Sequence, residues 1–177
     1  MTASTVDKIM DTAESQVRAG GYNSFSFREI SKEIGIKSAS IHYHFPTKTD
    51  LGVAVASRYT DRFMQQLTAL SDTQPEPRAR LEGYIDLFRQ ALITDRKMCL
   101  CGQLASESDV LPEAIQQETR RFFELNQRWL EQYLFAGNPN AVARGASLVA
   151  TLEGALMMSK LMANEQLFED IVASIAL

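Results

Sequence analysis

The amino-acid sequence predicts an all-α protein, and three observations predict it. Apolar residues return every three or four positions along most of the chain, as in Val6, Ile9, Met10, Ala13 and Val17, which is the period of a helix with one buried face. Convincing strand-like alternation and internal repeats are both missing. Finally, Ser4 with Asp7, Ser26 with Glu29 and Thr47 with Asp50 have the spacing of the capping box that satisfies free N–H groups at a helix start.

The elements follow in order. The first helix begins near Ser4 and ends at Gly20-Gly21, where glycine accepts the left-handed conformation of a helix C-terminus. Ser26 opens a short second helix whose buried residues are Phe27, Ile30 and Ile34. Gly35 supplies a tight turn, and Ile36 tucks that turn into the core. A third short helix runs from about Lys37 to Tyr43. Pro46 breaks the chain, and Thr47 caps a longer helix reaching about Leu70. The stretch from Ser71 to Pro77 reads as a connector. Leu81, Tyr84, Ile85, Phe88 and Leu92 then mark another amphipathic helix. Pro112 suits the first turn of a long helix carrying Ile115, Thr119, Phe122, Phe123, Trp129 and Tyr133. After Gly137-Asn138-Pro139, the helix from Val142 to Leu161 is apolar on more than one side. A last helix runs from about Gln166 to Ile175.

The chain has 177 residues, 45% hydrophobic and 23% charged, a composition ordinary for a globular protein. Arg144, Glu153 and Lys160 interrupt its most apolar segment, so a membrane span is not expected. No basic start precedes a long apolar run, and the expected location is the cytoplasm. The net charge of −4 alone speaks against nucleic acid, but its distribution does not. Residues 1–50 carry six basic and six acidic groups, whereas residues 51–177 carry twelve and sixteen. Between Phe27 and Lys48 the balance is locally basic, with Arg28, Lys32, Lys37 and Lys48 against Glu29 and Glu33. Such a surface can hold phosphates on an otherwise acidic molecule.

Two short helices joined by a glycine turn form a helix-turn-helix, whose second helix offers its N-terminal residues to base edges in the major groove. Small polar residues belong at that approach, and Lys37-Ser38-Ala39-Ser40 provides them. Tyr43, His44 and Lys48 suit phosphate anchors that fix register. Lys48 carries its charge at a helix start, which the helix dipole disfavours and which a neighbouring phosphate would offset. Phe45 and Ile41 read as core.

The run from Phe27 to Lys48, with Arg28, Gly35, the His42-Tyr43-His44-Phe45 stretch and the lysine opening the next helix, resembles the DNA-binding segment of the tetracycline-repressor-like (TetR) regulators. The resemblance is close over residues 5–60 and only architectural over 77–177. It implies base or groove contacts for Arg28, Ser38, Ala39 and Ser40, and phosphate contacts for Tyr43, His44 and Lys48. His42 and Tyr43 stand in the order opposite to a common Tyr-His arrangement, so His42 receives no role. The implied organisation is a helix-turn-helix DNA-binding domain over 1–50 (motif 26–45, connecting helix 47–70) and a helical effector-binding and dimerisation domain over 77–177. The implied partners are a double-stranded DNA operator, a small-molecule effector and a second copy of the chain, joined through the last two long helices. Gly145, Ala146, Ala150, Gly154 and Ala155 would allow close approach there. The implied mode is repression, relieved when the effector tilts the helix after Thr47.

Phe88, Cys99, Cys101, Phe122, Phe123, Trp129, Met157 and Met158 are the candidates to line an effector pocket, although the same stripes also serve as plain core. Cys99 and Cys101 leave open a second reading as redox or electrophile-sensing thiols, with Arg96 and Lys97 nearby. A reading of another class, a protein-interaction module without DNA binding, requires the helix-turn-helix to be degenerate. An enzyme is not expected: both histidines lie in the helix-turn-helix segment, and no nucleophile–base pair or phosphate-binding glycine loop occurs. No cofactor or metal site is expected either. His42, His44, Cys99 and Cys101 make a poor ligand set, because residues two apart on a helix point in different directions.

Overall fold

In a computed structural model, which describes residues 4–175, the described residues form α-helices and no strand. The helices are α1 (Thr5–Gly20), α2 (Phe27–Ile34), α3 (Ser38–His44), α4 (Lys48–Thr73), α5 (Pro77–Ile93), α6 (Leu100–Ala105), α7 (Glu113–Tyr133), α8 (Ala141–Leu161) and α9 (Glu165–Val172). The bounds of the domains at residues 1 and 177 lie outside the described residues. Single 3-10 turns at Tyr22–Ser24 and Ser108–Val110 and the short α6 carry no sequence signal and were not expected. The stretch 71–77 is a shorter connector than its composition suggests, because α4 continues to Thr73 and only 74–76 separate it from α5. The last helix stops at Val172, three residues before the expected end.

The caps explain where the first helices begin. Ser4 and Asp7 form a complete capping box on α1. Thr47 and Asp50 do the same on α4: the Asp50 carboxylate accepts from the Thr47 N–H at 2.9 Å, and the Asp50 N–H donates to the Thr47 hydroxyl at 3.1 Å. Ser26 accepts from the Glu29 N–H at 3.2 Å. Each such cap stabilises its helix by about 1 kcal/mol. Gly21 departs from the expected left-handed cap. Its φ of 84° and ψ of −179° fall in a region open essentially to glycine alone.

The helices divide into two compact units. The first comprises Met1–Asp61 with Leu100–Arg121, the second Arg62–Cys99 with Phe122–Leu177. The core of the first unit collects Ile9, Ala13 and Val17 from α1, Phe27 and Ile30 from α2, Ile41 from α3, and Leu51 and Val55 from α4. Leu100, Leu104, Leu111 and Ile115 complete it. Full burial of such a side chain is worth about 1.5–3 kcal/mol. Polar ties join the helices at the rim. Arg58 of α4 reaches Asp11 at 2.7 Å and Glu14 at 3.3 Å on α1, and the Gln16 amide donates to Glu33 of α2 at 2.7 Å.

In the second unit α5, α8 and α9 pack on one another, and Leu148, Leu152, Leu156 and Phe168 are buried. Arg89 on α5 donates to both oxygens of Glu169 on α9, at 2.7 and 2.9 Å. Hydrogen bonding to that guanidinium holds the Glu169 carboxyl below its ordinary value. By length and apolarity α8 would suffice to cross a membrane.

Candidate nucleic-acid interface and effector core

The turn between α2 and α3 is built from backbone geometry. Gly35 adopts φ 71° and ψ 33°, the left-handed conformation, and its N–H donates to the Ser31 carbonyl. The next N–H, of Ile36, also reaches the Ser31 carbonyl, at 3.0 Å, closing a Schellman motif. Ile36 packs against the first core, as expected. This turn aims α3 so that Ile41 is fully buried and the rest of the helix faces outward.

That outward surface gathers most of the residues singled out in the sequence. Lys37, Ala39, Ser40, Tyr43 and His44 line one open depression together with Thr5. Tyr43 is 85% exposed, a placement that the packing of the unit does not require. Its ring meets that of His44 edge-on at 5.0 Å. Arg28 is exposed on α2, and Ser38 is half-buried at the start of α3. His42 turns away: its ring packs edge-on against Phe27 at 4.6 Å, and its Nδ1 lies 3.3 Å from the Pro46 carbonyl.

Lys48 is placed less simply. It is half-buried, with its ammonium 4.4 Å from the centre of the Tyr22 ring and 4.7 Å from that of Phe25. Burial lowers its pKa, and the Glu107 carboxylate partly opposes that shift. The lysine therefore rests on an aromatic shelf and is not a freely solvated cation. Glu107 itself went unnoticed in the sequence. It accepts from the Tyr22 N–H at 3.1 Å and from the Gln103 amide at 3.1 Å, tying the end of α6 to the chain entering α2.

The second unit contains a buried aromatic cluster. Tyr84 of α5 stacks on Trp129 of α7 at 5.8 Å with 12° between the planes. Phe63 meets Phe88 at 6.0 Å and Phe122 at 5.1 Å, edge-on in each case. The Tyr84 hydroxyl donates to Asn126 at 2.9 Å, and Asn126 donates back to the Phe122 carbonyl at 2.9 Å. Among the pocket candidates, Phe88, Phe122 and Trp129 belong to this cluster. Phe123 is half-buried beside Phe122 at 5.3 Å.

The remaining candidates are dispersed. Cys99 is buried in the second unit, whereas Cys101 is buried in the first. Met157 and Met158 correct the expectation of an interior position. They are 55% and 45% exposed on α8, because a helix apolar on two sides leaves one of them outside. By the same geometry Gly145 and Ala155 point inward and are buried, whereas Ala146 and Ala150 are exposed and Gly154 is half-exposed. Phe63 and Tyr84 join the cluster without having been expected there, and so does Glu153. No group of three His, Cys, Asp or Glu residues suited to a metal occurs among the described residues.

Glu153 is the unusual member. Both of its carboxylate oxygens are shut off from solvent, and neither has a hydrogen-bond partner at ordinary geometry. Burial pushes its pKa up to about 7, against a smaller opposing effect of the Cys99 thiol. Its charge acts on Tyr84, whose pKa is raised well above the usual value, chiefly by burial. The Trp129 indole N–H is likewise buried and unpartnered.

Comparison with known proteins places both halves. Residues 9–55 match the model for bacterial regulatory proteins of the tetR family. Residues 77–174 match that for the C-terminal domain of LmrA/YxaF-like transcriptional regulators. The chain is 34% identical to a TetR transcriptional regulator from Legionella pneumophila, over 96% of this chain and 94% of that one, with a TM-score of 0.92. A TetR-family regulator from Agrobacterium tumefaciens is 32% identical over 95% and 93% of the two chains, with a TM-score of 0.89. The transcriptional regulator LmrA of Bacillus subtilis is 25% identical over 86% of this chain and 85% of its own length. The nicotine-responsive repressor HdnoR of Paenarthrobacter nicotinovorans is 29% identical over 54% of this chain, and the match spans 50% of that repressor's length.

Proposed function

The chain belongs to the tetR family of bacterial regulatory proteins, and on that footing we propose that it is a homodimeric repressor that leaves a palindromic operator when a small molecule enters its second unit. The observation that carries the DNA-binding part is the outward row Lys37, Ala39, Ser40, Tyr43 and His44. In this reading Arg28, Lys37, Ser38, Ala39 and Ser40 approach the groove, and Tyr43, His44 and Lys48 hold phosphates. Lys48 does so from its aromatic shelf, which fixes the ammonium in place before DNA arrives.

The dimer reading draws on α8. Val142, Met157, Met158, Leu161 and Met162 are large apolar side chains left 45–85% exposed, more than scattered surface residues account for. A second copy seated there through α8 and α9 makes a two-fold dimer with two reading heads. The regulator then acts in the cytoplasm, performs no chemistry on its ligand, and needs no cofactor and no membrane.

Release rests on continuity. Both α4 and α7 contribute residues to each unit, so a ligand that favours one packing of the second unit biases the helices that carry the reading head. The shift can be no larger than the ligand's preference between the two states. Repression is favoured by the likeness to HdnoR, a nicotine-responsive transcriptional repressor. Both cysteines are buried, which keeps thiol sensing in second place.

Selection from a random duplex library tests the reading. The expected product is an inverted repeat whose half-sites are spaced by about one helical turn or a multiple of it. Recovery of no preferred sequence, or of a lone half-site, would overturn it.

A further inference from the structure

We propose that the second unit selects a cationic effector, an organic amine or ammonium whose nitrogen stands against the Glu153 carboxylate beside the aromatic cluster of Tyr84, Phe88 and Trp129. The inference rests on the reading of this unit as the effector-binding one and adds the chemical class of the ligand.

A carboxylate enclosed without a partner is costly, and packing alone gives no reason to keep it. Glutamine or leucine would fill the same place on α8 without a charge to bury. Neither oxygen of Glu153 has a partner at ordinary hydrogen-bond geometry, the Cys99 thiol exerting only a smaller opposing effect, and the indole N–H of Trp129 has none. The two groups are linked through Tyr84, which stacks on Trp129 and feels the charge of Glu153. Between them they offer one anionic acceptor and one neutral donor, and Tyr84 joins Trp129 to the rings of Phe63, Phe88 and Phe122.

That set of groups discriminates among ligand classes. An anion would stand against an unpaired carboxylate and find only a single neutral N–H in compensation. A neutral apolar ligand would leave both polar groups as orphaned as before. A cation pairs with the carboxylate, and in a dry site that pairing is worth far more than in water. The aromatic surround favours the same class, since ring faces carry partial negative charge. Glu153 is near its midpoint at neutral pH and ionises fully once a cation is present.

The chain supplies its own reporter, because Trp129 is its one tryptophan. Full-length protein is titrated with phenethylammonium and benzyltrimethylammonium, then with phenethyl alcohol and hydrocinnamate on a similar frame, while tryptophan emission is followed. The expected result is saturable change with both cations, at least tenfold tighter than with the alcohol and the carboxylate. The preference falls below threefold in Glu153→Gln and survives in Glu153→Asp, with circular dichroism confirming that both variants fold. Equal binding of the neutral or anionic compounds, an undiminished preference in Glu153→Gln, or no binding of either cation overturns the proposal. Operator selection with the same preparation keeps the two readings apart: its failure sinks the regulator reading, while the charge preference is decided by the titration alone.

Discussion

The carboxylate of Glu107 fills the space that a side chain at Gly21 would need: a Cβ built on that glycine would overlap Glu107 directly. The glycine also holds a φ of 84°, so two independent constraints exclude larger residues there. Between them the pair fixes the chain entering the helix-turn-helix to the end of α6, and the neighbouring Tyr22 N–H completes the tie at 3.1 Å.

Gly21→Ala should therefore lower stability by about 1–3 kcal/mol, since an L-residue in this backbone region is strained even before the overlap is counted. Denaturant unfolding measures it. Glu107→Ala removes the overlap but not the strain, and also removes the Tyr22 N–H bond, so Gly21→Ala should cost less in the Glu107→Ala background than in the parent. No cost at all in that background would show that the backbone conformation is unstrained.

Tyr43→Ala should weaken operator binding about five- to thirtyfold, the loss of one good phosphate hydrogen bond. At 85% exposure the same change should leave stability within about 0.5 kcal/mol. Lys37→Ala, at the groove, should instead weaken binding mainly to the preferred sequence and relax selectivity at one position, whereas the Tyr43 change weakens all sequences about equally. Equilibrium binding to the preferred and to altered duplexes separates the two, and an unchanged affinity in both variants would remove the outward face of α3 from the interface.

The reading head was legible in sequence because its determinants are local. Caps lie three residues from their partners, Gly35 sits where the turn needs it, and Ile30 and Ile41 fall on helical faces. The link between Glu107 and Gly21 spans most of a hundred residues and leaves no periodic trace. Glu153 read as a polar interruption of an apolar helix, since spacing cannot tell a buried charge from a solvated one. Met157 and Met158 were expected inside for the same reason: α8 is apolar on two sides, and composition does not say which side the protein covers itself.

Gly154→Leu separates folding from dimerisation. A Cβ at this position meets nothing within 4 Å, and leucine exceeds glycine in helix propensity by about 0.8 kcal/mol or slightly less. The isolated protomer should therefore stay helical and be no less stable. A branched side chain on the face proposed to receive a second copy should raise the dimer dissociation constant by at least about 10-fold. Light scattering during gel filtration reads this, and an intact dimer at micromolar concentration would move the interface elsewhere.

Glu153 should make stability depend on pH in a direction opposite to that of most carboxyls. Its folded pKa, about 7, lies above its ordinary value of 4.5, so the folded state holds the proton over a range in which the unfolded chain has released it. Stability from this group is complete below the ordinary value, declines as the pH rises through the interval, and is fully lost above the folded value. The shift corresponds to about 3 kcal/mol. Tyr84 stays protonated throughout, because its pKa is raised further, and does not contribute. Glu153→Gln removes the titration, while the cost of burying an amide is the same at every pH. The variant should thus gain about 3 kcal/mol relative to the parent between acid conditions and about pH 8. Parallel urea titrations at the two extremes measure the difference, and parallel pH profiles for the two proteins would mean that the carboxyl reaches water after all.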